Sequence, residues 1–271
     1  MPHATGNMKS RTSYIKRYNA LKSERDPYLT YWRNLSDSIL QHKGRFLTTD
    51  KNGNIQRNNT ILNNTARLAA RTLAGGMMAG ITSPARPWFR LAPPKVEMLE
   101  DEEVKQWLHE TEKAMREVFS RSNFYNAMHS LYAELGVFGT ATLGIYPDDD
   151  EIIHCENYTI GSYYLAVDGR NKVNVVYREF QYTVAATIDE YGIENVSPWV
   201  LNLHKNGGSE KMVTILHIVE PNNDRDNMKT GNKNMPIRAI HMEKDCKGHE
   251  GFLRVSGNPE MPVVAPRWDA V

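Results

Sequence analysis

Residues 73–94, LAGGMMAGITSPARPWFRLAPP, limit the fold more than any other stretch of this chain. Gly75, Gly76 and Gly80 sit inside a helical pattern carried by Leu68, Ala69, Leu73 and Met77. Each glycine costs a helix interior up to about 1 kcal/mol against alanine, so the sequence must gain something else from them. The spacing Gly76-x-x-x-Gly80 fits a close helix crossing against another protein surface. Pro84, Pro87, Pro93 and Pro94 then stop the helix and hold an extended strap. Trp88, Phe89 and Leu91 are placed to pin that strap to a core. The apolar run falls short of the ~18 residues needed to span a bilayer, so no membrane partner is expected.

Around this landmark the first half of the chain reads as helix. Tyr14, Tyr18, Leu21, Leu29, Trp32, Leu35 and Ile39 recur mostly at spacings of three and four over residues 10–42, with Asp26-Pro27 marking a break or new start. Asn52-Gly53 places a hairpin or loop within 43–58, and helix returns from Asn59 to about Thr82. LEDEEVKQWLHETEKAMREVFSRS carries acids in its first turn, arginines late, and an apolar stripe of Val104, Trp107, Leu108, Ala114, Met115 and Val118, predicting a helix over 100–121. A further helix is expected at 123–136, and VFGTATLGIYP reads as a strand.

Beyond an acidic turn at Asp148, Asp149 and Asp150 the pattern shortens to strands at 151–156, 163–168 and 173–182, with Asp168-Gly169 as a turn. Short helices are expected at 184–191 and 196–204. Strands follow at 211–219, at 236–243 and at the start of GFLRVSGNPEMPVVAPRWDAV. The fold class is α+β: N-terminal helices followed by a mainly antiparallel β region with short helices. The division expected is a mainly helical part, 1–146, and a β-rich part, 147–271.

The formal net charge of +1 hides an asymmetry. From Met1 to Arg90 the acids are only Glu24, Asp26, Asp37 and Asp50, against fifteen lysines and arginines. Such a basic half suits nucleic acid, an acidic neighbouring subunit, or simply a solvated helix face balanced by the acidic remainder. Tyr14, Tyr18, Tyr28, Tyr31 and Trp32 suit either a helix interface or an internal core. Two cysteines, Cys155 and Cys246, make no disulfide framework and point to a reducing compartment. The basic N-terminus has no apolar signal core.

Catalytic constellations are missing. There is no GxxxxGK[ST], GxGxxG after a strand, HExxH or GxSxG. Cys246-x-x-His249 with His241 nearby is one metal-like pair, and a structural zinc site needs a second. Only His154-Cys155 could supply it, and neighbours on a strand point to opposite faces. Asp148 to Asp150 form an acidic run, but a two-metal site gathers carboxylates from separate elements. No catalytic, cofactor-binding or metal residue is assigned, and no cofactor. Residue by residue, the chain reads as a non-enzymatic protein built for packing. The alternatives are a DNA-binding module using the basic N-terminal helices and a metal-dependent nuclease using Asp148 and Asp150.

Four segments carry a resemblance: RYNALKSERDPYLTYWRNLSDSILQHKGRF (17–46), NNTILNNTARLAARTLAGGMMAGITSPARPWFRL (58–91), NFYNAMHSLYAELGVFGTATLGIY (123–146) and MPVVAPRW (261–268). In this order they resemble the head-to-tail connector, or portal, proteins of short-tailed bacteriophages. The resemblance implies a structural subunit of a ring, typically a dodecamer of identical chains, at one vertex of the virion. It implies assembly in the host cytoplasm and a channel that passes double-stranded DNA non-specifically. Terminase, capsid or scaffolding proteins and a tail adaptor would be partners. Catalytic residues are not implied, since ATP hydrolysis belongs to the terminase. Members of that family are about twice as long, so the chain is expected to supply the α+β wing, with stem and clip missing.

Overall fold

The structure is a computed structural model, and it describes residues 9–40, 63–93, 98, 100–226, 228, 230–246 and 250–268. The chain runs α1 (Arg11–Ser38), α2 (Thr65–Ile81), α3 (Glu102–Arg121), α4 (Phe124–Phe138), β1 (Thr142–Asp148), β2 (Ile152–Tyr158), β3 (Tyr163–Val167) and β4 (Val173–Thr183). It continues through α5 (Val184–Tyr191), α6 (Pro198–Lys205), β5 (Met212–Pro221), β6 (Ile237–Glu243), β7 (Phe252–Asn258) and β8 (Val263–Val264). The fold is α+β with antiparallel sheets. Two compact units form: one from residues 1–37, 41–58 and 159–262, the other from 38–40, 59–158 and 263–271.

The first unit is a five-stranded antiparallel sheet, β3-β4-β5-β6-β7, in sequence order. β5 explains its layering. The run MVTILHIV is almost wholly buried, as expected of a strand covered on both faces. Leu216 and Ile218 face a cluster with Tyr14, Tyr18 and Leu21 of α1. Val213 and Ile215 face the opposite cluster, with Val184 and Tyr191 of α5 and Val200 of α6. The helix starts are capped as their sequences dictate. Thr183 Oγ1 accepts from Ala186 N at 3.2 Å, and Ser197 Oγ accepts from Val200 N at 3.3 Å ahead of Pro198. The Asp168-Gly169 turn closes β3 onto β4, with Asp168 Oδ1 accepting from Arg170 N and Lys172 N.

The second unit packs α2, α3 and α4 with a three-stranded sheet, β2-β1-β8. Phe124, Ala127, Leu131 and Leu135 of α4 form its core with Ala141, Leu143 and Cys155. Asn123 joins helix to sheet by bonding the Cys155 backbone in both directions at 2.8 Å. The segment MPVVAPRW lies against GTATLG: Val263 and Val264 pair with Gly144 and Leu143, and Trp268 N donates to Gly139 O at 2.8 Å. Two segments that are far apart in sequence are thus one piece of sheet.

Three expectations need correction. Asp26-Pro27 does not break the helix, because Pro27 lies inside a continuous α1. Val137 and Phe138 belong to α4, not to a strand; the helix runs on to Gly139, whose φ of 74° lets the chain reverse. The close crossing does not use Gly75, Gly76 or Gly80, since a Cβ at any of them would meet nothing within 4 Å. It uses Gly136 of α4, where a Cβ would lie 2.8 Å from Leu73 Cδ2. The hairpin or loop expected at 43–58, with Asn52-Gly53, lies outside the described residues, as does the start of the second helix at 59–62.

Candidate assembly surfaces

α1 meets its sheet through polar bonds as well as apolar ones. The Tyr18 hydroxyl donates to Glu179 Oε2 at 2.5 Å and lies 3.1 Å from the Tyr164 hydroxyl. Lys244 Nζ reaches the same Glu179 oxygen at 2.8 Å. Burial, then the Glu179 charge, pushes the Tyr18 phenol well above its ordinary value, so it stays a proton donor. Arg25 donates to Gly161 O and Tyr163 O and stacks 3.9 Å over the Tyr164 ring. Arg11 donates to Glu243 O at 2.7 Å and Lys244 O at 2.5 Å. Part of the basic N-terminal charge is therefore consumed in docking α1. Lys16, Arg17 and Lys22 remain exposed.

The aromatic residues divide in the same way. Tyr14 and Tyr18 are core, 1% and 2% exposed, whereas Tyr28 and Tyr31 are 58% and 63% exposed. Tyr28 stacks on Trp32 with ring centroids 5.7 Å apart.

In the second unit the strap is anchored as its sequence predicts. Trp88 packs against Phe89, Phe119 and Phe124, and its indole N–H donates to the Tyr125 hydroxyl at 3.3 Å. Arg86 Nη2 donates to Ala79 O at 3.0 Å, satisfying a carbonyl in the last turn of α2. Of the whole of α2 only Ala74 is buried, and Leu68 and Ile81 are exposed beside the open glycines. The stripe of α3 is likewise half covered: Val104, Leu108 and Val118 are partly buried, while Trp107 and Met115 are exposed.

The weak chemical candidates do not converge. Asp148 Oδ1 accepts from Glu151 N and Asp150 N, and these bonds hold its carboxyl below the usual carboxylate range. The run Asp148 to Asp150 is thus a self-capped turn between β1 and β2. His154 is exposed while Cys155 is buried on the other face of β2, and burial pushes the Cys155 thiol up, away from a metal-binding thiolate. His241 is taken up by Tyr191, whose hydroxyl lies 2.6 Å from Nδ1, and by His217 across the ladder. Cys246 is buried and His249 lies outside the described residues. Among the described residues no three metal-ligating side chains gather, and no helix is long and apolar enough to cross a membrane.

Among the described residues, both units present exposed apolar or basic side chains. Residues 11–271 match the family described as bacteriophage head to tail connecting protein. The chain belongs to this family. It is 41% identical over 257 residues, 95% of its length, to a probable portal protein of Bordetella phage BPP-1. It is also 41% identical over 255 residues, 94% of its length, to the portal protein of Salmonella phage epsilon15. It spans 46% of the length of each. The head-to-tail connecting family is structural.

Proposed function

We propose that this chain acts as the wing part of a portal subunit, in a ring of identical subunits at the head–tail vertex of a phage particle. Identity of 41% across 94% of the chain with the portal protein of Salmonella phage epsilon15 carries this reading. Its helical part, 1–146, and β-rich part, 147–271, would together make the wing. The ring, a dodecamer by family resemblance, passes double-stranded DNA during packaging and ejection. It docks terminase, capsid or scaffolding proteins and a tail adaptor without catalysing a reaction. It assembles in the host cytoplasm and resides in the virion. Ring contacts of this kind are heterologous, so two different faces of one subunit must match. The uncovered apolar residues of α2 and α3 and the exposed bases of α1 supply candidate faces.

The test is immuno-electron microscopy of virions with antibodies against residues 63–268. A single labelled vertex per particle is expected. Label spread evenly over the shell, or found only on unassembled protein, would overturn the proposal.

A further inference from the structure

A cleft of about 500 Å3 opens between the N-terminal end of α1 and the neighbouring ends of β4 and β5. That is the size range of small-ligand sites. Ser13, Tyr14, Arg17, Asn174, Tyr177 and Glu220 are among its lining residues.

Tyr177 is the decisive residue. It is fully buried, and its hydroxyl has no hydrogen-bond partner among the described residues. Buried phenol hydroxyls normally find one. The Tyr14 hydroxyl accepts from Arg238 Nη1 at 3.5 Å, which leaves its own proton to donate. Arg17 is exposed on the same side of α1 and forms no hydrogen bond or ion pair with any described residue. Glu220, 5% exposed, is held by Lys9 at 2.9 Å. Among the described lining residues, the charge left over is the single positive charge of Arg17.

One turn further along α1 stands a completed version of this arrangement. There, one phenol and a cation bond one carboxylate, Tyr18 and Lys244 to Glu179, and a second phenol, Tyr164, bonds the Tyr18 hydroxyl. At the Tyr14 level two phenols and a cation again converge, but the only carboxylate among them is bonded to Lys9 and not to Tyr177.

We propose that this cleft binds a carboxylate from outside the chain, with the Tyr177 hydroxyl and the Arg17 guanidinium as its donors. A planar monoanion matches one arginine fork and one unbalanced positive charge. A doubly charged phosphate would face the fixed charge of Glu220 in the wall. An acidic side chain and a small free acid both present this group, and the two sources can be separated.

The experiment is a titration of the 15N-labelled 271-residue chain at constant ionic strength, followed by its amide resonances. The probes are sodium acetate, a blocked aspartate and inorganic phosphate. Saturable shifts at Ser13, Asn174 and Tyr177 are expected with the two carboxylates. Affinity should weaken about tenfold in Arg17→Gln and in Tyr177→Phe, the loss of one charge-assisted hydrogen bond in each. Both variants should fold, since Arg17 is exposed and the Tyr177 hydroxyl bonds to nothing described. Tighter binding of the blocked aspartate than of acetate assigns the site to an acidic side chain; equal binding assigns it to a free acid. Shifts that do not saturate, phosphate binding tighter than both carboxylates, or undiminished binding in both variants would overturn the proposal.

Discussion

The Tyr18 hydroxyl and the Glu179 carboxylate are joined at 2.5 Å although they lie 161 residues apart in sequence. The bond ties the first helix to the second strand of its sheet, and both residues are under 10% exposed. Tyr18→Phe leaves the carboxylate with Lys244 but removes a hydrogen bond to a charged group. The expected cost is about 1.5–3 kcal/mol, read from the shift in urea midpoint. An unchanged midpoint would show that the bond contributes nothing net.

Alkaline pH should unfold the protein. Burial is the main cause that raises Tyr14, Tyr18, Tyr177 and Tyr191 above the ordinary phenol value of 10.0. Folded, these groups keep their protons; unfolded, they lose them above pH 10. The unfolded state then binds fewer protons, so stability falls as pH rises past 10. A spectrophotometric titration at 295 nm should show these phenols ionising only together with the loss of near-ultraviolet dichroism.

At the acid end the two histidines act the other way. Burial holds His217 well below its ordinary 6.5 and pushes His241 down to about 3, with Arg254 and Arg178 adding to the effect at His241. Both are neutral in the folded protein. Below pH 6.5 the unfolded chain takes up protons that the folded one refuses, so stability present above 6.5 is lost as pH falls toward 3. The slope is about 1.4 kcal/mol per pH unit for each histidine. His241→Phe should flatten the dependence of the denaturation midpoint between pH 7 and 5; an unaltered slope would contradict the assignment.

Glycines should respond oppositely in the two units. Gly76→Ala adds a methyl where nothing lies within 4 Å, so it should stabilise the isolated chain by about 0.5–1 kcal/mol through helix propensity. At Gly257 a Cβ would collide with the backbone carbonyl of Asn232 and lie 2.7 Å from Met235 Cβ. Gly257→Ala should therefore destabilise the sheet edge or prevent folding. Thermal unfolding of the two variants should give shifts of opposite sign.

Sequence legibility followed the locality of each signal. α5 matches its expected bounds because a Thr cap and a following Gly fix both ends within the segment. The β5 run was plain because burial on both faces leaves an unbroken apolar string. Pro27 misled because tertiary contacts outweigh a local propensity. Arg25 is bonded to Gly161 O and Tyr163 O, and the helix is carried through the missing N–H. The close crossing was misplaced for a similar reason. A glycine pair announces close approach but not its partner, and Gly136, a lone glycine in α4, gave no such pattern. The Tyr177 cleft had no signal at all, since it depends on residues 13, 17, 177 and 220 meeting across the unit.

The two compact units are not consecutive along the chain: the second interrupts the first. On a ribosome, the order of appearance and the order of completion are therefore opposed. α1 emerges first, yet Tyr14 and Tyr18 must wait for Tyr177, Leu216 and Ile240 before their aromatic face is covered. At 5–20 residues per second that delay is roughly 10–45 s. During it, α2, α3, α4 and the β1–β2 pair are also synthesised while a sticky helix hangs free. Nascent copies made side by side would share that period of exposure, which makes translation itself the stage at which this fold most needs shielding.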